Sequence, residues 1–404
     1  MQRLTRRLAP VLVPAILVAA LGCREDAESP TAPESGPALA ATATTALAFQ
    51  QVSGGWYFTC GVTTDHRAYC WGYNVFGALG DGTSGNDRVA PAPVAVVGGL
   101  YFRQVSAGGT HSCGVTTDYH AYCWGGNASG QLGDGTTTVR LTPVPVVGGL
   151  SFVQVVAGVY HTCGLSYPDR RAYCWGLNSY GQLGDGTAIA RPTPVAVLGG
   201  RQFRQVSGGQ YHTCGVTTTS QAFCWCNNQR GELGDSTTTA RSMPVPVTGG
   251  RQFRQVAAGW TFTCGVTTGD QAFCWGQGAY GQLGNGKTGR RLWPGPVVGG
   301  LSFRRVTTGW RHACGETTLS RAYCWGYNAI GQLGIGTSSG PEVCNTLDCS
   351  TKPVAVLGGL YFRQLSAGQV HTCGKTPANV AYCWGDSGGS ASGTTPTPVP
   401  GPTE

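Results

Sequence analysis

Short apolar runs of about five residues recur along most of the chain, separated by Gly, Pro, Thr and Asp. Such runs between turn-forming residues are typical of β-strands. Residues 101–149 contain one complete unit of this pattern. Its strand candidates are Phe102–Ser106, His111–Thr116, Ala121–Gly125 and Pro143–Val147, and the middle two form a hairpin around a T-D-Y turn. Each unit therefore predicts a small sheet of four strands.

Seven units follow one another with no linker between them. Their first cysteines are Cys60, Cys113, Cys163, Cys214, Cys264, Cys314 and Cys373. A unit of about fifty residues cannot bury a sufficient core by itself. Both faces of its sheet are apolar, because Cys123 points one way while Tyr122 and Trp124 point the other. Such sheets have to be sandwiched between neighbours, which predicts an all-β, seven-bladed β-propeller over residues 47–400. Seven independent mini-domains are the alternative.

The consensus of the units is specific. It contains H-T-C-G-V, then A-Y-C-W-G-x-N-x-x-G-Q-L-G-D-G, and W-G-x-N-x-x-G-x-L-G recurs in six copies with small lapses. This run resembles the RCC1 repeat, that of the regulator of chromosome condensation, and the resemblance implies a seven-bladed propeller. Ala78 replaces Gln in the first copy, and Cys226 replaces Gly in the fourth. The seventh copy loses the motif after Gly385, so Leu47–Ser53 pairs with residues 394–400 to close the ring, or the last blade stays open.

Sixteen of the 18 cysteines fall into close pairs. Each unit carries C-x9-C, or C-x10-C in the third, on the two strands of the hairpin. Equal strand lengths place the two cysteines opposite each other, within disulfide range. The expected disulfides are Cys60–Cys70, Cys113–Cys123, Cys163–Cys174, Cys214–Cys224, Cys264–Cys274, Cys314–Cys324 and Cys373–Cys383, with Cys344–Cys349 inside an insertion of the sixth unit. Each hairpin disulfide contributes roughly 2–3 kcal/mol by the chain-entropy model. Cys226 is left as a free thiol.

A zinc site is the competing interpretation of these cysteines, because a His lies two residues before the first Cys in five units. The five are His111, His161, His212, His312 and His371. Phe58 and Phe262 stand at the same position in the other two units. An imidazole that exchanges with a phenyl ring is a packing residue, so we expect no metal and no cofactor.

The N-terminal residues carry an export pattern. Arg3, Arg6 and Arg7 precede an apolar run that is too short, and too interrupted by proline, for a membrane span. Residues 1–22 are predicted to be a signal peptide. The end of this segment, with Gly22 before Cys23, resembles a bacterial lipobox and implies lipidation of Cys23. Simple secretion with a spare Cys23 thiol is the alternative. Residues 23–46 suit a flexible tether.

Charge argues against a nucleic-acid partner. Without the three arginines of the signal, 24 basic residues face 19 acidic ones, and they form no basic block. The repeated Gly-rich runs lack the Lys-Ser/Thr of a phosphate-binding loop. Their single acid becomes Asn285 and Ile335, so a calcium site is not indicated. A recurring strand arginine receives no function; it is found as Arg103, Arg204, Arg254, Arg304 and Arg363.

Positions at which the copies differ are the best candidates for a site. One such position follows the Gly in the turn between the first and second strands of each unit. From the first unit to the seventh, we assign it to Trp56, Thr110, Val159, Gln210, Trp260, Trp310 and Gln369. Equivalent positions in seven blades form a ring at one end of the propeller. Tryptophan, tyrosine and arginine are enriched at binding hot spots. The candidate binding loops are therefore those of Trp56, Tyr57, Tyr211, Trp260, Trp310 and Arg311, unless these side chains merely cap the blades.

No catalytic constellation emerges from the sequence, and no carboxylate pair can be traced. The leading hypothesis is a non-enzymatic, exported binding scaffold with a protein or glycan partner, in contact with a membrane only through a lipid anchor. The resemblance also implies two alternatives. One is nucleotide exchange on a small GTPase, as in the founding member of the family. The other is enzyme inhibition, as in a secreted propeller of this type that blocks β-lactamases.

Overall fold

The computed structural model describes residues 46–85, 88–388 and 393–402. Within these ranges all regular elements are β-strands, arranged as seven separate antiparallel sheets in chain order. The first strands of neighbouring sheets contact one another all the way round the ring. The predicted seven-bladed β-propeller is confirmed. None of the described residues belongs to a helix long and apolar enough to cross a bilayer.

The first four blades each contain four strands in consecutive order. Blade 1 has β1 (Phe49–Gly54), β2 (Phe58–Thr63), β3 (Ala68–Tyr73) and β4 (Val89–Ala95); blade 2 has β5 (Phe102–Ala107), β6 (His111–Thr116), β7 (Ala121–Gly125) and β8 (Arg140–Pro145). Blade 3 has β9 (Phe152–Ala157), β10 (His161–Ser166), β11 (Ala172–Gly176) and β12 (Arg191–Ala196); blade 4 has β13 (Phe203–Gly208), β14 (His212–Thr217), β15 (Ala222–Cys226) and β16 (Arg241–Pro246).

The last three blades follow the same plan, with one addition. Blade 5 has β17 (Phe253–Ala258), β18 (Phe262–Thr267), β19 (Ala272–Gly276) and β20 (Arg291–Pro296); blade 6 has β21 (Phe303–Thr308), β22 (His312–Thr317), β23 (Ala322–Tyr327), β24 (Glu342–Cys344) and β25 (Leu347–Ala355). Blade 7 has β26 (Gln364–Ala367), β27 (His371–Lys375), β28 (Ala381–Gly385) and β29 (Gly393–Pro398). The insertion in blade 6 pairs β24 with the edge of β25, so this sheet has a fifth strand.

The fourth strand of blade 2 was placed three residues too late by the sequence pattern. In the structure it begins at Arg140, which pairs with Gly125 across a register shift. The Arg140 side chain is anchored by Asp134, with Nε 2.9 Å from Oδ2. This ion pair holds the start of the strand against the preceding loop. Because Arg140 is polar, the spacing of apolar residues could not mark it as the first residue of the strand.

The core lies between blades. The disulfide face of one sheet packs on the aromatic face of the next, so that Cys60 and Cys70 of blade 1 share a cluster with Phe102 and Trp124 of blade 2. All four side chains are at most 1% exposed. The sandwich expected from two apolar faces is thus realised at the blade boundaries. Complete burial of these large side chains is the main stabilising term of such a fold.

The predicted hairpin disulfides are confirmed in all seven blades. Cys113 and Cys123 are direct cross-strand partners with Cα atoms 4.0 Å apart. The extra residue of the third unit is taken up in the turn, because Cys163 and Cys174 remain opposite each other. The other pairs are Cys60–Cys70, Cys214–Cys224, Cys264–Cys274, Cys314–Cys324 and Cys373–Cys383. Cys344 and Cys349 form an eighth disulfide in the insertion.

The Gly-rich loop of each unit is held by its own polar side chains. In blade 2, Asn127 Nδ2 donates to Asp134 Oδ1 at 3.2 Å, and Asn127 Oδ1 accepts from the backbone N–H of Leu132 at 2.9 Å. Partial burial opposes ionisation of Asp134, but hydrogen bonds from Thr136 and the ion pair with Arg140 lower the pKa of its carboxyl group. The acid of the G-D-G run therefore stabilises the turn.

The ring closes without exchange of a strand. β1 pairs within blade 1, and β29 completes blade 7, so the expected pairing of Leu47–Ser53 with residues 394–400 is wrong. The last blade is not open either. Val52 N–H donates to Gln364 Oε1 at 3.1 Å, and Gln364 Nε2 donates to the Val52 carbonyl oxygen at 3.0 Å. Gln51 and Val105 form the same pair of bonds between blades 1 and 2, so the closure is one more blade boundary.

The predictions for the N-terminal residues concern residues 1–46, of which the structure describes only residue 46. The predicted signal peptide (1–22), Cys23 and residues 23–45 of the predicted tether lie outside the described residues.

Candidate binding face

The first strand of each blade ends in a small residue and a Gly at one mouth of the central channel. The next residue belongs to a backbone belt, in which Trp56 N–H donates to the Gly108 carbonyl oxygen and Gly109 N–H donates to that of Gly158. Gly109, and not Thr110, is therefore the blade 2 member of this ring. The predicted assignment of Thr110 to this ring is wrong by one residue. Thr110 instead aligns with Tyr57 and Tyr211, which follow the ring residue in their own blades.

The tryptophans of the ring converge over the axis. Trp56 of blade 1 stacks on Trp260 of blade 5, with ring centroids 5.7 Å apart and planes 21° apart. Trp56 also meets Tyr160 edge-on at 5.8 Å, and Trp260 lies 5.4 Å from Trp310. The expected arc along the rim is thus a cluster across the channel. It covers a small axial cavity of about 90 Å³.

The cluster continues outward on two sides. The Arg311 guanidinium carbon lies 4.0 Å from the Trp310 ring centroid and 4.2 Å from that of Tyr280. On the other side, Tyr211 lies 6.2 Å from Tyr160. These contacts are aromatic and cation–π geometries that hold the side chains in fixed orientations. Five of the six candidate residues therefore join one network.

Tyr57, the sixth candidate, lies beside this network. It contacts Tyr73 edge-on at 5.7 Å, and with Trp56 and Phe76 it lines a shallow groove of about 100 Å³ between blades 1 and 2. Tyr57 is 38% exposed and Phe76 46% exposed. We define the aromatic face by its members; these are Trp56, Tyr57, Tyr160, Tyr211, Trp260, Trp310 and Arg311.

Sequence reasoning missed Tyr160 and a polar pocket beside the face. Tyr160 aligns with Tyr57 and Tyr211, so a corrected alignment would have found it. The pocket, of about 210 Å³, is lined by Tyr211, Trp260 and Glu232. Glu232 stands where four other copies have Gln, and it accepts a hydrogen bond from the Arg230 N–H at 2.8 Å. Burial raises the pKa of its carboxyl group to about 7.

Cys226, in the same blade, departs from the repeat in a second way. It replaces a Gly and has a φ of 95°, a region that a residue with a Cβ rarely adopts. The thiol is fully buried, and among the described residues it is the one cysteine without a disulfide. Burial raises the pKa of the thiol, which keeps it protonated and poorly nucleophilic.

The histidines that precede the first Cys of five units each contact a threonine of the next blade. His111 Nε2 lies 2.8 Å from Thr162 Oγ1 of the next blade, and Thr162 Oγ1 donates to the Gln131 carbonyl oxygen. Thr162 therefore accepts from His111, which assigns the proton to Nε2. Burial lowers the pKa of His111 to about 3, so the ring is neutral. At the boundary between blades 5 and 6 both partners change together. Blade 5 has Phe262 at the His position, and blade 6 has Ala313 at the Thr position.

One group of side chains within the described residues has the spacing of metal ligands, namely Glu342, Cys344 and Cys349. The two cysteines form a disulfide, so their sulfur atoms are not free to bind an ion.

The fold and this face define the class of protein: a disulfide-stapled propeller that presents a rigid aromatic surface at one channel mouth. The model of the RCC1-like domain (WD40_RLD) matches residues 18–306, and the chain belongs to this family.

Curated relatives match parts of the chain. The Ultraviolet-B receptor UVR8 of Arabidopsis thaliana is 30% identical over 154 residues, which are 37% of this chain and 35% of that protein. The E3 ubiquitin-protein ligase HERC2 of Homo sapiens is 31% identical over 161 residues, 39% of this chain and 3% of that protein. The chain thus spans about a third or less of these relatives.

Solved structures share the fold over most of the chain. Human WBSCR16 is 22% identical with a TM-score of 0.72, covering 81% of this chain and 87% of that one. Prp20p of Saccharomyces cerevisiae, described together with its binding properties to Gsp1p and histones, is 19% identical with a TM-score of 0.73, covering 84% and 87%. At this identity the likeness concerns the fold alone.

Proposed function

We propose that the chain is a non-enzymatic binding protein that acts outside the cytoplasm and holds a protein or glycan partner on the aromatic face. The observation that carries the proposal is the network of Trp56, Trp260, Trp310 and Arg311 at one channel mouth. Indole, phenol and guanidinium groups contribute most to binding energy in interfaces. Their mutual stacking orients them before a partner arrives, which lowers the entropic cost of binding.

The disulfides support the cellular setting. Eight disulfides among the described residues indicate folding in an oxidising environment. Export by residues 1–22 and a lipid anchor at Cys23 would place the propeller at a cell envelope, with residues 23–46 as the tether. The membrane is then contacted through the anchor alone.

A binding role without catalysis fits the chemistry near the face. The buried His111, His161 and His212 are neutral donors to threonine. With pKa values near 3 or 4 they are unprotonated at neutral pH and are only weak bases. The binding of Prp20p to Gsp1p and histones concerns that protein, and it supports a protein partner for a propeller of this shape.

The test is affinity capture from envelope or secreted extract with the full chain and its Trp260→Ala, Trp310→Ala double variant. We expect the captured partner to bind the double variant at least tenfold more weakly, since each hot-spot residue contributes about 2 kcal/mol or more. Trp293→Ala is the matched control, because Trp293 is 49% exposed on β20 and lies outside the aromatic face.

Thermal unfolding of the three proteins separates loss of binding from loss of fold. A partner that binds the double variant as tightly as the wild type refutes the proposal for this face. Equal weakening by Trp293→Ala also refutes it, because the effect would then not be local.

A further inference from the structure

The opposite mouth of the central channel has a different character from the aromatic face. The first strand of each blade runs from this mouth towards the aromatic end, and three of the seven copies have F-R-Q-V at its start. The mouth opens into a cavity of about 570 Å³. Four arginines line it, namely Arg204, Arg254, Arg304 and Arg305. We call these four residues the arginine mouth.

The Gln of the F-R-Q-V run has a structural task. Gln104 Nε2 donates to the Val155 carbonyl oxygen at 2.6 Å, and Val155 N–H donates to Gln104 Oε1 at 3.2 Å. The same exchange ties Gln255 to Val306. Each such Gln joins its blade to the next one. In blade 6 this position is Arg305, which forgoes the two bonds that a Gln would make to blade 7.

Arg305 also differs from the other three arginines of the cavity in its contacts. Asp270 pairs with Arg254, and Glu316 pairs with Arg304 at 2.9 Å. Arg204 donates to the carbonyl oxygens of Thr217 and Thr218. Within the part of the chain that the structure describes, the exposed guanidinium of Arg305 has no hydrogen-bond or ion-pair partner.

Two neighbouring hairpin positions also carry charges, one of each sign. Glu316 and Lys375 stand where the hairpin strand of other copies has an aliphatic residue such as Val115. Burial, together with the nearby Arg363, lowers the pKa of Lys375. Four arginines line the cavity, and two carboxylates, those of Asp270 and Glu316, pair with two of them. A concave cavity focuses such an excess of charge.

We propose that the arginine mouth binds a small anion that carries two or more phosphate or sulfate groups. Guanidinium groups bind tetrahedral oxyanions through paired N–H donors, and this geometry favours Arg over Lys. The cavity has the size of small-ligand sites. At Arg305, blade 6 gives up two inter-blade bonds and presents an exposed cation at the rim. This site lies at the other end of the channel and is independent of the aromatic face.

The test is isothermal titration of the full-length protein with two probes, sucrose octasulfate and tripolyphosphate, at two salt concentrations. We expect at least one probe to bind with 1:1 stoichiometry, and more weakly at high salt because ions screen the attraction. Arg305→Gln should weaken binding roughly tenfold, and Arg305→Lys should weaken it less. Arg305→Gln restores the residue of the other copies, so its thermal stability should equal or exceed that of the wild type.

Arg290→Gln is the matched control. It makes the same change in net charge at an exposed side chain in the Gly-rich loop of blade 5, away from the arginine mouth. The inference is overturned if neither probe binds at about 1 mM, a free energy near −4 kcal/mol. It is equally overturned if Arg305→Gln binds like the wild type, or if Arg290→Gln weakens binding as much. A preference for one probe identifies the oxyanion as sulfate or phosphate.

Discussion

The indole Nε1 of Trp124 donates a hydrogen bond of 2.9 Å to the carbonyl oxygen of Ala78, which belongs to the preceding blade. A Cβ at Gly80 would lie 2.6 Å from that nitrogen, so the loop of blade 1 must have Gly there to seat the ring. Trp225, Trp275 and Trp325 repeat the bond to the preceding blade. The W-G and G-x-L-G parts of the motif therefore meet across blade boundaries.

Trp124→Phe should cost about 1–2 kcal/mol more stability than Trp175→Phe. The two indoles are fully buried and pack on Phe102 and Phe152 in nearly the same geometry. Trp175 Nε1 has no hydrogen-bond partner among the described residues, so its replacement by Phe reduces packing but removes no hydrogen bond. Urea unfolding of both variants measures the difference. Equal losses would show that the bond to Ala78 contributes nothing.

The thiol count is a second prediction. In a Cys23→Ser variant, we expect a thiol reagent to label nothing in the native protein and one thiol, that of Cys226, after unfolding without reductant. Burial and a raised pKa protect this thiol in the folded state. Full reduction should expose 17 thiols, since the chain has 18 cysteines. Three or more labelled thiols before reduction would contradict the eight disulfides.

Stability should fall on acidification because of the buried histidines. Burial lowers the pKa of His161 to about 4, whereas an unfolded histidine titrates near 6.5. Between these values the unfolded chain binds a proton that the folded chain does not. The stabilisation is complete above about pH 6.5 and is lost as the pH falls towards 4, by about 1.4 kcal/mol per pH unit for each such histidine.

His161→Phe should therefore flatten the dependence of the unfolding free energy on pH between 6.5 and 4. Chemical unfolding at a series of pH values measures the slope. Phe262→Leu is the control, because it disturbs the same buried position in blade 5 without a titrating group and should leave the slope unchanged. An unaltered slope in His161→Phe would mean that the histidine does not cause the acid sensitivity.

Cys226→Gly should stabilise the protein by about 1 kcal/mol. The backbone at this position has a φ of 95°, which Gly adopts without the steric cost that a Cβ brings. Gly276 of blade 5 is the reciprocal test. A Cβ there would lie 2.7 Å from the Cα of Phe262, so Gly276→Ala should be strongly destabilising. Thermal unfolding ranks the variants, and a Cys226→Gly protein of lower stability would refute the argument.

Much of this architecture could be predicted because it is repeated. The C-x9-C spacing places two cysteines opposite each other in a hairpin, and Cys113–Cys123 has that register. The exchange of His for Phe indicated a packing position, and His111 is buried there against Thr162 of the next blade. The motif could not show that Trp124 bonds to another blade, since the partner is a backbone carbonyl oxygen and carries no residue-type signal.

The sequence by itself determined the number of blades, the hairpin disulfides and the positions at which the copies differ. These properties depend on strand period and on contacts repeated between neighbours, so they can be read from one unit and its spacing. Only the tertiary structure decided what the differing positions do. Trp56 and Trp260 are more than 200 residues apart, and they meet because closure of the ring brings non-adjacent blades together at the axis. The same closure brings Arg204, Arg254, Arg304 and Arg305 around one cavity at the other mouth.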